Sequence, residues 1–156
     1  MGAAAASGRK ASGRPPLHSG PFGPVAPVRS GTVISHLSLG VRDLDRAGSF
    51  YDAVLAPLGY VRVWTADSAI GYGPPDGNDK LALKAHGEDK HLGPAPGFHL
   101  AFAAPDHAAV DAFHAEALRV GAESAGDPGL RVQYSPTYYA AFVLDLDGHK
   151  LEAVHQ

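Results

Sequence analysis

The chain has 156 residues, no cysteine, and 13 Lys+Arg against 16 Asp+Glu, a net charge of −3. Zero cysteine excludes a disulfide scaffold, a cysteine-ligated zinc or iron–sulfur site and a cysteine nucleophile. No apolar run approaches the ~18–20 residues of a membrane span, and the acids gathered after Asp43 argue against a nucleic-acid surface on the body, which needs clustered Lys and Arg.

Residues 1–31 read as a disordered N-terminal extension. They hold six glycines, five prolines and few large apolar side chains, too little to offset the entropy of ordering. The segment is acid-free and contains Arg and Ser, as organelle-targeting leaders do, but its prolines would break the amphipathic helix of such a leader. The expected compartment is therefore the cytoplasm, with organelle targeting the other reading.

The body, residues 32–156, reads as one α+β domain of two tandem βαβββ modules, about 32–90 and 97–156. Val33–Val41 alternates as a strand, with His36, Ser38 and Gly40 on one face and Leu37, Leu39 and Val41 on the other. Asp43 is placed to cap a helix carrying Leu44, Ala47, Phe50, Tyr51, Val54, Leu55 and Leu58, closed by Gly59. Strands are expected at Tyr60–Ala66, Ser68–Gly73 and Lys80–His86, with a turn at Pro74–Asn78. After a charged, Gly-rich loop the order repeats. A strand at Phe98–Phe102 leads to a helix capped by Asp106 and ended by Gly121. Strands follow near Leu130–Tyr134, Tyr138–Leu144 and Lys150–His155, the last pair joined by an Asp147-Gly148 turn.

The repeat has an offset of 63. His36 meets His99, the caps Asp43 and Asp106 coincide, and so do Phe50 and Phe113. The helices need the Leu37/Leu39/Val41 and Phe98/Leu100/Phe102 faces, so His36 and His99 belong to the opposite faces. In the last strand Glu152 has the parity of Lys150 and Val154. If the two sheets curl toward each other, His36, His99 and Glu152 converge on one cleft. Two imidazoles and a carboxylate leave open positions on a divalent metal for a bidentate oxygen substrate. Taken singly, a strand histidine is more often exposed or hydrogen-bonded in a core, and a carboxylate near a chain end is more often solvated.

The stretches Ile34-Ser-His-Leu-Ser-Leu-Gly-Val-Arg-Asp-Leu44, Phe50-Tyr51-Asp52, Leu55–Tyr60, Phe98–Phe102 and Tyr138–Val154 resemble the vicinal oxygen chelate superfamily, the glyoxalase/bleomycin resistance protein/dioxygenase family. The resemblance implies a cupped mixed sheet around one divalent metal ion (Zn, Fe, Mn or Ni), held by His36, His99 and Glu152. A glyoxalase I would carry a further carboxylate at the position that the repeat assigns to Ala82. A His-His-Glu set is similar to that of extradiol dioxygenases and of thiol-transferring antibiotic-resistance enzymes. The expected function is that of a metal-dependent enzyme acting on a small oxygenated molecule: a lyase of glyoxalase type, a dioxygenase or a thiol transferase. The alternative is a drug-sequestering protein of the bleomycin-resistance type. Tyr134, Tyr138 and Tyr139 are candidate proton relays, and Lys84 and Trp64 candidate substrate contacts. The equally ordinary reading of the tyrosines is an aromatic loop packed on a sheet edge. The expected partners are a small-molecule substrate and, from the resemblance, a second copy in a homodimer, with no nucleic acid and no membrane. His86 and His91 read as solvated, His107 and His114 as surface residues of the second helix, and His149 as a turn residue.

Overall fold

The computed structural model describes residues 34–87, 92 and 96–156. The expected extension at 1–31 and His91 lie outside them. The first module runs β1 (Leu37–Val41), α1 (Leu44–Leu55), β2 (Val61–Ala66), β3 (Ala69–Gly73) and β4 (Leu81–Ala85). The second runs β5 (Leu100–Ala103), α2 (His107–Arg119), β6 (Glu123–Leu130), β7 (Tyr139–Leu144) and β8 (Lys150–His155).

Both helices begin as their sequences require. The Asp43 carboxylate accepts from the Arg46 N–H at 2.9 Å, and Asp106 accepts from the Ala109 N–H at 2.8 Å. Each satisfies one of the donors that a helix start leaves unpaired. Past α1 the chain makes a 3-10 turn at Ala56–Leu58, with Pro57 early in it, and Gly59 turns it out at φ 81°. A residue with a Cβ would be strained there.

The two modules form matching four-stranded mixed sheets of order β1-β4-β3-β2 and β5-β8-β7-β6. Their registers carry the same offset as the sequence. Leu37 pairs with Leu81 and Ser38 with Ala82; Leu100 pairs with Leu151 and Ala101 with Glu152. Ala82 is thus the structural counterpart of Glu152. In both modules the first strand is an edge strand, parallel to the last.

One core serves both modules. Leu39, Val41, Phe50, Val54, Leu55 and Leu83 from the first join Phe102, Val110, Phe113, Val143 and Leu151 from the second. The two helices pack on each other and on their sheets. Polar links fasten the β7–β8 turn to the first module. The Tyr51 hydroxyl donates to Asp145 Oδ2 at 2.7 Å, Arg42 pairs with Asp147 at 2.7 Å, and His149 Nε2 donates to the Gly40 carbonyl at 2.8 Å. Asp145 Oδ1 also accepts the backbone N–H groups of Asp147 and His149, at 2.9 and 2.7 Å. His149 is therefore a buried structural turn residue.

Three expectations shift. The strands open later than the alternation suggested, at Leu37 and Leu100, so both His36 and His99 stand just before a strand. The strand expected near Leu130–Tyr134 is instead β6, Glu123–Leu130, while residues 132–134 turn. Its Gly-Asp-Pro-Gly run reads as loop, but an edge strand tolerates such residues, and β6 is an edge with register shifts at Gly126. His114, expected on the surface, is buried because α2 packs against β6; its Nε2 lies 3.0 Å from Ser124 Oγ.

Candidate functional site

The sheet faces turned away from the helices carry the polar chemistry. On β8 the core takes Leu151 and Ala153, which leaves Lys150, Glu152 and Val154 on the other face. One rung of the second sheet runs Ala101–Glu152–Phe142–Gly126 across β5, β8, β7 and β6. A cavity of about 660 Å³ opens over this rung, bordered by His99, Arg131, Tyr138, Phe142, Lys150 and Glu152 among others.

Glu152 is the chemical centre of this cavity. Only 1% of it is exposed, so its carboxylate needs close partners. Oε2 lies 3.0 Å from His99 Nε2, and Oε1 accepts the Tyr138 hydroxyl at 2.8 Å. His99 itself remains half exposed. Burial, reinforced by the hydrogen bond to Glu152, pushes the Tyr138 phenol up to about 12. Tyr138 is therefore a proton donor throughout the neutral range. The Tyr134 ring meets the Tyr138 ring edge to face at 5.2 Å on the rim.

The other candidates separate. Tyr139, one residue along from Tyr138, turns toward α2, where its hydroxyl donates to Asp111 at 2.8 Å and its ring stacks on His107 at 4.0 Å. Trp64 and Lys84 belong to the first sheet and do not border the Glu152 cavity. Trp64 is partly exposed and lies over Gly71.

His36 stands exposed before β1, its Nδ1 3.4 Å from Ser35 Oγ. A second cavity, about 550 Å³, lies between the β1 and β5 edges, bordered by Ser35, Leu37, Phe98 and His99. Ile34, Ser35 and Leu37 border it; His36 does not. Within the chain the structure joins His99 to Glu152, and His36 does not border the cavity over Glu152. Among the described residues no three His, Asp or Glu side chains are grouped as a metal site.

Sequence reasoning missed Arg131 and the part played by Phe142 in this cavity. Arg131 sits 5.6 Å from the Phe142 ring centroid and Lys150 Nζ 4.8 Å from it. The signal was present as Phe142 at the parity of Tyr138, opposite to the core residues Ala141 and Val143.

Two βαβββ modules, each with its edge strand beside its last strand, define the architecture of the vicinal oxygen chelate fold. The Glyoxalase/Bleomycin resistance protein/Dioxygenase superfamily model matches residues 33–153, and the chain belongs to that superfamily. It is similar to the crystal structure of a glyoxalase/bleomycin resistance protein from Albidiferax ferrireducens, with 31% identity over 80% of this chain and 100% of that one, at a TM-score of 0.71. A putative glyoxalase from Bacillus halodurans shares 25% identity over 78% of this chain and 94% of its own, at a TM-score of 0.58. The bleomycin resistance determinant encoded on the transposon Tn5 shares the fold at 22% identity, covering 80% of this chain and 98% of its own, with a TM-score of 0.54. No functionally curated protein matches.

Proposed function

We propose that the protein is a metal-dependent enzyme acting on a small oxygenated organic molecule over the open face of its second sheet. The observation that carries this reading is the buried Glu152 carboxylate held between the His99 ring nitrogen and the Tyr138 hydroxyl. An imidazole and a carboxylate in contact are the donor set that a divalent ion of the Zn, Fe, Mn or Ni kind takes, so these residues fit two of its ligands. His36 is the third, supplied by a second copy of the chain in a homodimer. His36 borders neither of the two cavities that His99 borders, which supports that arrangement.

When bound, such an ion supplies Lewis acidity, polarising oxygens of the substrate. The protein's own part rests on Tyr138, which keeps its one proton on Oη, donated to Glu152 Oε1 until the hydroxyl turns to oxygen on which negative charge develops. Glu152 holds that hydroxyl at the cavity until it turns. With Ala82 at the counterpart of Glu152, the glyoxalase form of this chemistry lacks its second carboxylate.

The test is metal binding by calorimetry on the full chain with Mn²⁺, Fe²⁺, Ni²⁺ and Zn²⁺. The reading expects one ion per chain and a higher melting temperature with metal, both lost in Glu152→Gln. A chain that binds none of the four ions contradicts it.

The aromatic lining by Tyr134, Tyr138 and Phe142 favours a second reading, a sequestering protein that stacks a flat ligand without metal. Ligand binding that survives Glu152→Gln in metal-free buffer is its expected signature.

A further inference from the structure

The cavity over Glu152 carries cations that the metal reading leaves unused. Arg131 and Lys150 flank one ring, Phe142, with the guanidinium carbon at 5.6 Å and the ammonium nitrogen at 4.8 Å from its centroid. The two charges therefore lie within roughly 10 Å of each other, each in cation–π range of the same ring. Among the described residues neither has a carboxylate within ion-pair distance. Arg131 is tied by a backbone bond instead, its Nη2 donating to the Asp127 carbonyl at 2.6 Å. That bond orients the guanidinium and leaves its charge uncancelled.

The backbone makes room for this side chain. A Cβ at Gly129 would come within 3.2 Å of Arg131 Nη1. One at Gly126 would come within 3.5 Å of Arg131 Nη2 and 3.0 Å of Phe142 Cδ2. Strand β6 is thus bare where the guanidinium and the ring lie against it. Lys150 reaches the ring from β8, two residues from Glu152 on the same face, a spacing of roughly 7 Å along a strand.

We propose that Arg131 and Lys150 form an oxyanion subsite, so that the substrate is a small organic acid. Its acid group lies at the edge of the Phe142 ring, where the two cations on either side of it converge, and its oxygen-bearing end reaches Glu152 and His99. The subsite takes a carboxylate or a phosphonate, since both present planar or tripodal oxygens to a guanidinium fork and an ammonium. The proposal rests on the reading of Glu152 as the reactive end, but its recognition step needs no metal.

The test is titration of the chelator-treated full chain with benzoate, with phenylphosphonate and with benzamide as the neutral isostere. Benzoate or phenylphosphonate is expected to bind at least tenfold more tightly than benzamide, and which of the two is tighter identifies the acid group. Arg131→Gln and Lys150→Gln, made separately, are each expected to weaken the preferred anion about tenfold, the size of one charge-assisted contact. Each is also expected to keep wild-type Mn²⁺ binding. Glu152→Gln is expected to lose Mn²⁺ and to hold the anion as tightly as wild type or more tightly. Equal affinity for benzamide and benzoate, no binding of either anion, or unchanged anion affinity in both variants overturns the subsite. Mn²⁺ binding that persists in Glu152→Gln overturns the metal reading alone.

Discussion

Replacing Tyr51 by Phe removes one oxygen atom from the junction between the modules. Tyr51 is 1% exposed, and its hydroxyl donates at 2.7 Å to Asp145 Oδ2, a carboxylate that is itself buried. The other oxygen, Oδ1, keeps its two backbone donors, the N–H groups of Asp147 and His149. The variant therefore leaves Oδ2 with no partner among the described residues. An orphaned buried carboxylate oxygen costs about 2 kcal/mol, at the upper side of neutral hydrogen-bond losses because the acceptor is charged. For a folded body of this size that corresponds to a fall in Tm of roughly 6–10 °C. Differential scanning calorimetry and urea unfolding measure it. The double variant Tyr51→Phe with Asp145→Asn isolates the cause. Neutralising the carboxylate in the Tyr51→Phe background should cost less than in wild type, with a coupling of about 1 kcal/mol or more. A single variant within about 0.5 kcal/mol of wild type, or strictly additive effects, would refute the reasoning.

Two further outcomes follow from the same structure. Burial, and then neighbouring carboxylates, hold the Tyr51 and Tyr72 phenols above their ordinary value. The unfolded chain releases these protons near pH ~10 while the folded chain keeps them, so stability is full below about pH 10 and declines as pH rises toward the folded values. Melting temperatures measured from about pH 8 to about pH 11 should show this decline, and Tyr51→Phe with Tyr72→Phe should flatten it. In Gly71→Ala the new methyl would meet the Trp64 ring. Trp64 is the one tryptophan of the sequence and is already partly exposed, so it should swing outward. Its fluorescence should shift to the red at a stability cost of about 1–3 kcal/mol; an unchanged spectrum would contradict the packing.

The repeat was legible because it is written twice. Helix caps at Asp43 and Asp106, buried stripes through Phe50 and Phe113, and the Asp147-Gly148 turn are local signals, and each local preference agrees with the fold around it. Strand β6 was not legible. Its Gly and Pro residues contradict strand propensity, and only its place at a sheet edge, a tertiary fact, permits them. The site divided along the same line. Strand parity correctly turned Glu152 away from the core. Register then determined what it met, Phe142 directly opposite and Tyr138 by hydrogen bond. Parity separates Tyr138 from Tyr139, but which face carried the site was settled only by packing, with Tyr139 on the side that α2 covers. Arg131 was invisible because its position depends on Gly126 and Gly129, residues that matter through what they lack. His36 was read by analogy with His99. The repeat equates their positions, and equivalence in a repeat does not bring two residues into one site.

The central claim is that Glu152 and His99 of one chain hold a divalent ion together with His36 of another. Mn²⁺ titration of an equimolar mixture of two variants, His36→Ala and Glu152→Gln, tests it most directly. Each variant alone leaves every shared site short of a ligand. In mixed dimers one of the two sites regains all three, so tight Mn²⁺ binding should return for about a quarter of the chains, given random exchange. A mixture that binds no more Mn²⁺ than its separate components would contradict the account.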